Sequence, residues 1–179
     1  PLRTPLYSSH LAAGAKMVYR ISWVKEAGFD KVPNDLPNFL KLCQALKAKG
    51  HPPGFALGNA VGDANGWCHW LVWSFGGKMV DDKNNVVINS PETIAALEYA
   101  KQLYETFIPG TLSWNDASNN KAFLDGQLGI TNNGISIYYA AKNATDPAIK
   151  ALAADIDHSN LPIGPVGKPT EVNLIVPAM

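Results

Sequence analysis

The side chains in this sequence that could do chemistry are aromatic, amide and acidic: Asp63, Asn65, Trp67, His69, Trp114, Asn115, Asn132, Asn133, Tyr138 and Tyr139. Together they suit non-covalent recognition. A sugar ring presents an apolar face of C–H groups and a fringe of hydroxyls, so its site needs a flat aromatic surface edged by planar donors and acceptors. Reactive constellations are weaker. The sequence contains no GxGxxG, P-loop, HExxH, CxxC or GxSxG pattern. His10, His51, His69 and His158 are scattered without metal-ligand spacing, so no metal and no cofactor is expected. Asp81-Asp82 and Asp155-Asp157 each sit in a polar stretch with no apolar pocket to raise one acid's pKa, and both read as solvated charge rather than glycosidase pairs. Cys43 falls on the apolar stripe Phe39, Leu42, Cys43, Leu46 and reads as a buried thiol. Cys68, between Trp67 and His69, shows no environment that would make it reactive.

The elements that must position these groups follow from periodicity and punctuation. GAKMVYRISWV, residues 14–24, reads as a β-prone run with Lys16 out of place. Asp35 caps a helix from about 37 to 49, with Gly50 as its stop. Trp67, Trp70 and Trp73 recur at three-residue spacing, predicting a helix over about 65–75 that carries all three along one side and ends at Gly76-Gly77. VVI at 86–88 reads as a strand. Ser90-Pro91 then opens a helix to about 107 with Ile94, Leu97, Ala100, Tyr104 and Phe107 on its apolar face. Trp114-Asn115-Asp116 caps a helix reaching about 124. LGIT at 128–131 is a strand delivering the chain to Asn132-Asn133-Gly134 and a helix from about 133, with Pro147 as a restart. LPIGPVGKPT is a loop, and VNLIV a closing strand.

Helices separated by short strands argue for a single α/β domain, residues 1–179. With 179 residues and 46% hydrophobic content the chain can bury a core. Its 15 Lys plus Arg balance 15 Asp plus Glu, so no field points to nucleic acid or an acidic membrane surface. No apolar run approaches the ~18 residues of a membrane span. The start PLRTPLYSS has neither a methionine nor the apolar segment of a signal peptide, so the chain reads as an excised piece.

The ordered series YRISWVKEAGFDKVPNDLPNFLKLCQALKAKG, WCHWLVWSFGGKMVDDKNNVVINSPETIAALEYAKQLYE, AFLDGQLGITNNG and LPIGPVGKP resembles family 1 extracellular solute-binding proteins of ABC importers, the group that includes maltodextrin-binding protein. The resemblance implies a helix-rich lobe of periplasmic-binding-protein-like fold, with a mixed sheet flanked by helices. It implies the carboxyl-terminal lobe of two, the other being absent, starting near one interlobe crossing at PLRTPLYSS and ending near the return at EVNLIVPAM. It also implies a small polar ligand of the carbohydrate class, an ABC permease as partner, a monomeric full-length protein, and a periplasmic or extracellular location, with or without a lipid anchor. Trp67 falls where the family stacks an aromatic on sugar, and Asn65 near an acidic ligand contact. Ser136 stands where a second aromatic platform is expected, leaving Tyr138 or Tyr139 to compensate. Asp63, His69, Trp114 and Asn133 complete the expected binding set. A hydrolase using Asp63 and a non-catalytic protein-interaction domain are the alternatives.

Overall fold

The computed structural model describes residues 13–14, 16–58, 60–170 and 173–174. The starting segment PLRTPLYSS and most of the closing EVNLIVPAM lie outside them. Strand β1 (Ala13–Gly14) pairs antiparallel with β5 (Asn173–Leu174). The central sheet has β2 (Lys16–Arg20) in the middle, flanked antiparallel by β3 (Ile130–Asn133) and β4 (Ile156–Ser159). Among the described residues, the parallel part of the expected mixed sheet is one bridge, Asp35 to Ile163, outside these strands.

Alternation along β2 divides the molecule. Met17 and Tyr19 enter one core, built mainly from α1 (Ile21–Glu26), α2 (Leu36–Ala48), α3 (Asp63–Ser74) and α4 (Pro91–Tyr104). Val18 points the other way, into a second core with α5 (Ser118–Leu124), α6 (Ser136–Lys142) and part of α7 (Pro147–Leu152). With both sides covered, β3 is buried along its whole length, although three of its four residues, Thr131, Asn132 and Asn133, are polar.

The punctuation signals work as physics predicts. Asp35 accepts a hydrogen bond from Asn38 N at 2.9 Å and Ser90 one from Thr93 N at 3.2 Å, each capping its helix with proline just inside. Gly50 takes φ +84°, where an L side chain would be strained, and ends α2.

Several expectations are corrected. The strand at 14–24 stops at Arg20, and ISWVKE continues as α1. Lys16, at the strand's first position, sends its Nζ to Asn160 Oδ1 at 2.9 Å and so keeps its charge out of the core. VVI at 86–88 forms only the single bridge Val80–Val86. Helix α4 ends at Tyr104 and buries Thr93, Ala96, Tyr99 and Leu103, whereas Ile94 and Leu97 are exposed. Strand LGIT is shifted to 130–133, and the polar stretch around Asp155 and Asp157 becomes a 3-10 turn and β4.

Candidate functional site

The first turn of α3 starts at a glycine without a capping side chain of its own. Asp116, in the loop before α5, supplies the cap. Its carboxylate accepts from Gly62 N at 3.1 Å and Asp63 N at 2.9 Å, occupying amides that the helix cannot use internally. Of the expected cap of α5, the Asp116 carboxylate is thereby redirected to α3, while Asn115 Oδ1 accepts from Ala117 N at 3.0 Å in the turn before α5. The same loop carries Trp114, which packs on Ala56, Ala60 and Ala64. A methyl group at Gly58 would lie 2.4 Å from Trp114 O, so only glycine lets the 52–62 segment approach this closely.

Around the capped end the structure gathers amides on one carboxylate. Asp63 Oδ2 accepts from Asn119 Nδ2 at 2.8 Å and from Asn133 Nδ2 at 3.3 Å. Asn119, fully buried at the start of α5, gives its other amide hydrogen to Asn132 O at 3.1 Å and receives Asn120 N on its own oxygen at 3.0 Å. Asn133 Nδ2 also donates to Asn120 Oδ1, and Asn133 Oδ1 accepts from Gly134 N and, at 3.1 Å, from Ser136 Oγ. Asn120 Nδ2 reaches Ser136 Oγ at 3.4 Å. Three elements, α3, α5 and the β3–α6 junction, thus close on a single polar cluster. Two valences are left over among the described residues: Asp63 Oδ1 has no partner there, and Asn120 Nδ2 has a second hydrogen to give.

Burial pushes the Asp63 carboxyl above its ordinary value; the Asn119 hydrogen bond works against that rise and the nearby Asp116 charge adds to it. The sign of the linkage follows. A carboxyl whose folded pKa is raised favours folding most below its ordinary value, and that contribution is lost as pH rises through the folded value. Ionised Asp63 is thus held at some cost to stability.

The sequence-derived candidates fall into four groups. Asp63, Asn133 and Ser136 belong to the cluster, and Trp114 adjoins it through the Asp116 loop. Asn65, on the exposed side of α3, bonds Val61 O at 2.9 Å, and His69 stacks on Trp73 with centroids 5.5 Å apart; neither makes a hydrogen bond or ring contact with the cluster. Tyr138 lies edge-on to Tyr139 and His158 on α6, with Tyr139 51% exposed. Trp67 is corrected outright. Only 2% exposed, it donates Nε1–H to Ala56 O at 2.8 Å and packs edge-on against Phe55 and Phe107. An indole enclosed in this way presents no face to a ligand. The shared side expected for the three tryptophans also fails: six residues at about 100° each turn Trp73 well away from Trp67, and Trp73 is 37% exposed.

Asn119 and Asn120 were missed. Their signal, two amides at a helix start, is indistinguishable in sequence from ordinary capping. Both thiols are free, and burial pushes that of Cys68 up to about 11, away from nucleophilic use. No group of three or more His, Cys, Asp or Glu that could hold a metal occurs among the described residues. A separate groove of about 670 Å³ runs between α2 and α4 over Leu36, Leu40, Phe75 and Ile163, and shares no residue with the cluster.

The fold has close counterparts. MalE3 of T. maritima, solved with maltose, superposes with a TM-score of 0.75 at 22% identity over 88% of this chain and 40% of its own. A solute-binding protein of Agrobacterium vitis with bound D-mannitol gives 0.73 at 17% identity, over 87% and 38%. A sugar transporter of Arthrobacter chlorophenolicus with bound laminaribiose gives 0.69 at 20%, over 88% and 39%. In sequence, a probable ABC transporter-binding protein of Deinococcus radiodurans is 25% identical over 161 residues, covering 86% of this chain and 37% of that protein. The chain therefore spans about two fifths of the length of these relatives. The family described as bacterial extracellular solute-binding protein matches residues 6–178, and the chain belongs to it.

Proposed function

We propose that this chain forms one lobe of the solute-binding component of an ABC importer, and that the Asp63–Asn120–Asn133–Ser136 cluster is its share of the ligand cleft. The observation that carries this reading is the pair of valences left by an otherwise closed network. An acceptor at Asp63 and a donor at Asn120 match a hydroxyl, which both gives and takes a hydrogen bond. An anion would meet Asp63 and Asp116 with no lysine or arginine bonded to the cluster among the described residues. The ligand is thus a neutral polyhydroxylated solute, a sugar or polyol, in keeping with the maltose, laminaribiose and mannitol held by the structural relatives.

The mechanism is capture without covalent chemistry. Contacts from two lobes stabilise a closed form over an open one, and a membrane permease reads the closed form and receives the solute on the periplasmic or outer side of the membrane. A single lobe supplies half of the contacts and binds weakly. Titrating the 179-residue chain with millimolar maltose and mannitol should shift the side-chain amide resonances of Asn120 and Asn133, and the solute should be recovered chemically unchanged. Binding with no movement of these amides would displace the site. Absence of any response to both solutes, or hydrolysis of the maltose, would overturn the reading.

A further inference from the structure

We infer that Asn119 is the positioning residue of this site: it holds Asp63 Oδ2 so that the carboxylate keeps Oδ1 available to a solute hydroxyl. The inference rests on the proposed binding role of Asp63 but stands on contacts of its own. Asn119 is fully buried, although a polar amide at the start of a surface helix ordinarily faces water. Its capacity is committed: one hydrogen to Asp63 Oδ2 at 2.8 Å, one to Asn132 O at 3.1 Å, and its oxygen to Asn120 N at 3.0 Å. A single side chain therefore fixes the first turn of α3 to the end of β3 from α5. Asn133 supplies a longer second contact, 3.3 Å, to the same oxygen.

A carboxylate takes hydrogen bonds on either oxygen, so with Oδ2 saturated by two amides the solute is directed to Oδ1. Losing Asn119 leaves Oδ2 with only the longer Asn133 contact and removes the bond that opposes the upward pull of burial on Asp63. The charged and titratable groups around Asp63 are few. Asp116, bonded to the same helix end, raises its pKa. Lys16, opposite Asn133 on β2, directs its ammonium to Asn160, and Lys121 on α5 pairs with Asp125. The Asn119 hydrogen bond is what opposes the rise that burial and Asp116 impose on the carboxyl.

The test is a carboxyl-carbon NMR titration of Asp63 in the 179-residue chain and in Asn119→Leu. Asn119→Ser, too short to reach Asp63, serves as a second variant should the leucine fail to fold. A folded variant in which the Asp63 midpoint moves to higher pH supports the hold of Asn119 on the carboxylate; an unchanged midpoint in a folded variant overturns it. The readout needs no solute. If neither maltose nor mannitol binds the parent chain, the proposed function fails while the titration still decides the role of Asn119. If they bind, the pH at which mannitol affinity falls should rise with the Asp63 midpoint in the variant, and an unmoved profile would separate Asn119 from recognition.

Discussion

The middle and the first turn of helix α3 solve opposite problems within 12 residues. Its middle, at Trp67 and Trp70, is packed with indoles. Their N–H groups are discharged onto Ala56 O and Pro162 O, so the rings bury their area with no polar debt. Its first turn, at Asp63, does the reverse: it draws a carboxylate and three asparagines into a half-dry junction and leaves one acceptor and one donor over. Stability lives in the first arrangement, and the proposed recognition falls in the second. Tryptophans on this helix invite reading as sugar platforms, but aromatic type alone does not distinguish them from a core, whereas a network with spare valences has no packing purpose.

This contrast can be broken most forcefully at Trp67. Trp67→Ala should cost about 3–5 kcal/mol of stability, the range for emptying a large buried aromatic site. Urea denaturation of the variant measures this, and a loss below ~1 kcal/mol would move Trp67 out of the core. A smaller effect is expected at the other end. Asp116→Ala removes the cap of α3 and should cost about 1 kcal/mol, in the range of other N-caps. In the same variant the Asp63 titration should fall, because the Asp116 charge that raises it is gone. A cap loss without that fall would mean that the two carboxylates do not sense each other. The smallest effect should come from Tyr139→Ala. This ring is half exposed and outside the cluster, so thermal unfolding should change by less than ~0.5 kcal/mol. If maltose-induced amide shifts nevertheless vanish, the aromatic surface of α6 belongs to the site after all.

Legibility in the sequence followed the range of the forces involved. The caps at Asp35 and Ser90 and the stop at Gly50 were readable because each acts within one turn. Helix α4 was found with its starting cap but with the wrong face. Ile94 and Leu97 are the larger apolar residues, yet Thr93 and Ala96 go inside, where small side chains suit a helix pressed against its neighbour. Strand β4 was missed because IDHS carries one buried apolar residue, Ile156, and gains its strand identity from pairing with Val18 and Tyr19 some 140 positions earlier. The candidate cluster was legible in part. Asp63 and Asn133 stood out by type and Ser136 only through the resemblance, while Asn119 gains its meaning from a partner 56 residues away in sequence, a relation that no local pattern encodes.

The cap that Asp116 places on α3 spans 53 positions of chain, and this has a consequence for how the molecule assembles. A helix closed by its own residues can form as soon as they exist. Helix α3 must pass through a frayed beginning until the 115–117 turn arrives, so closing that long loop and seating Asp63 among its amides become one event. The proposed ligand cluster therefore depends on a contact that no local segment can make by itself.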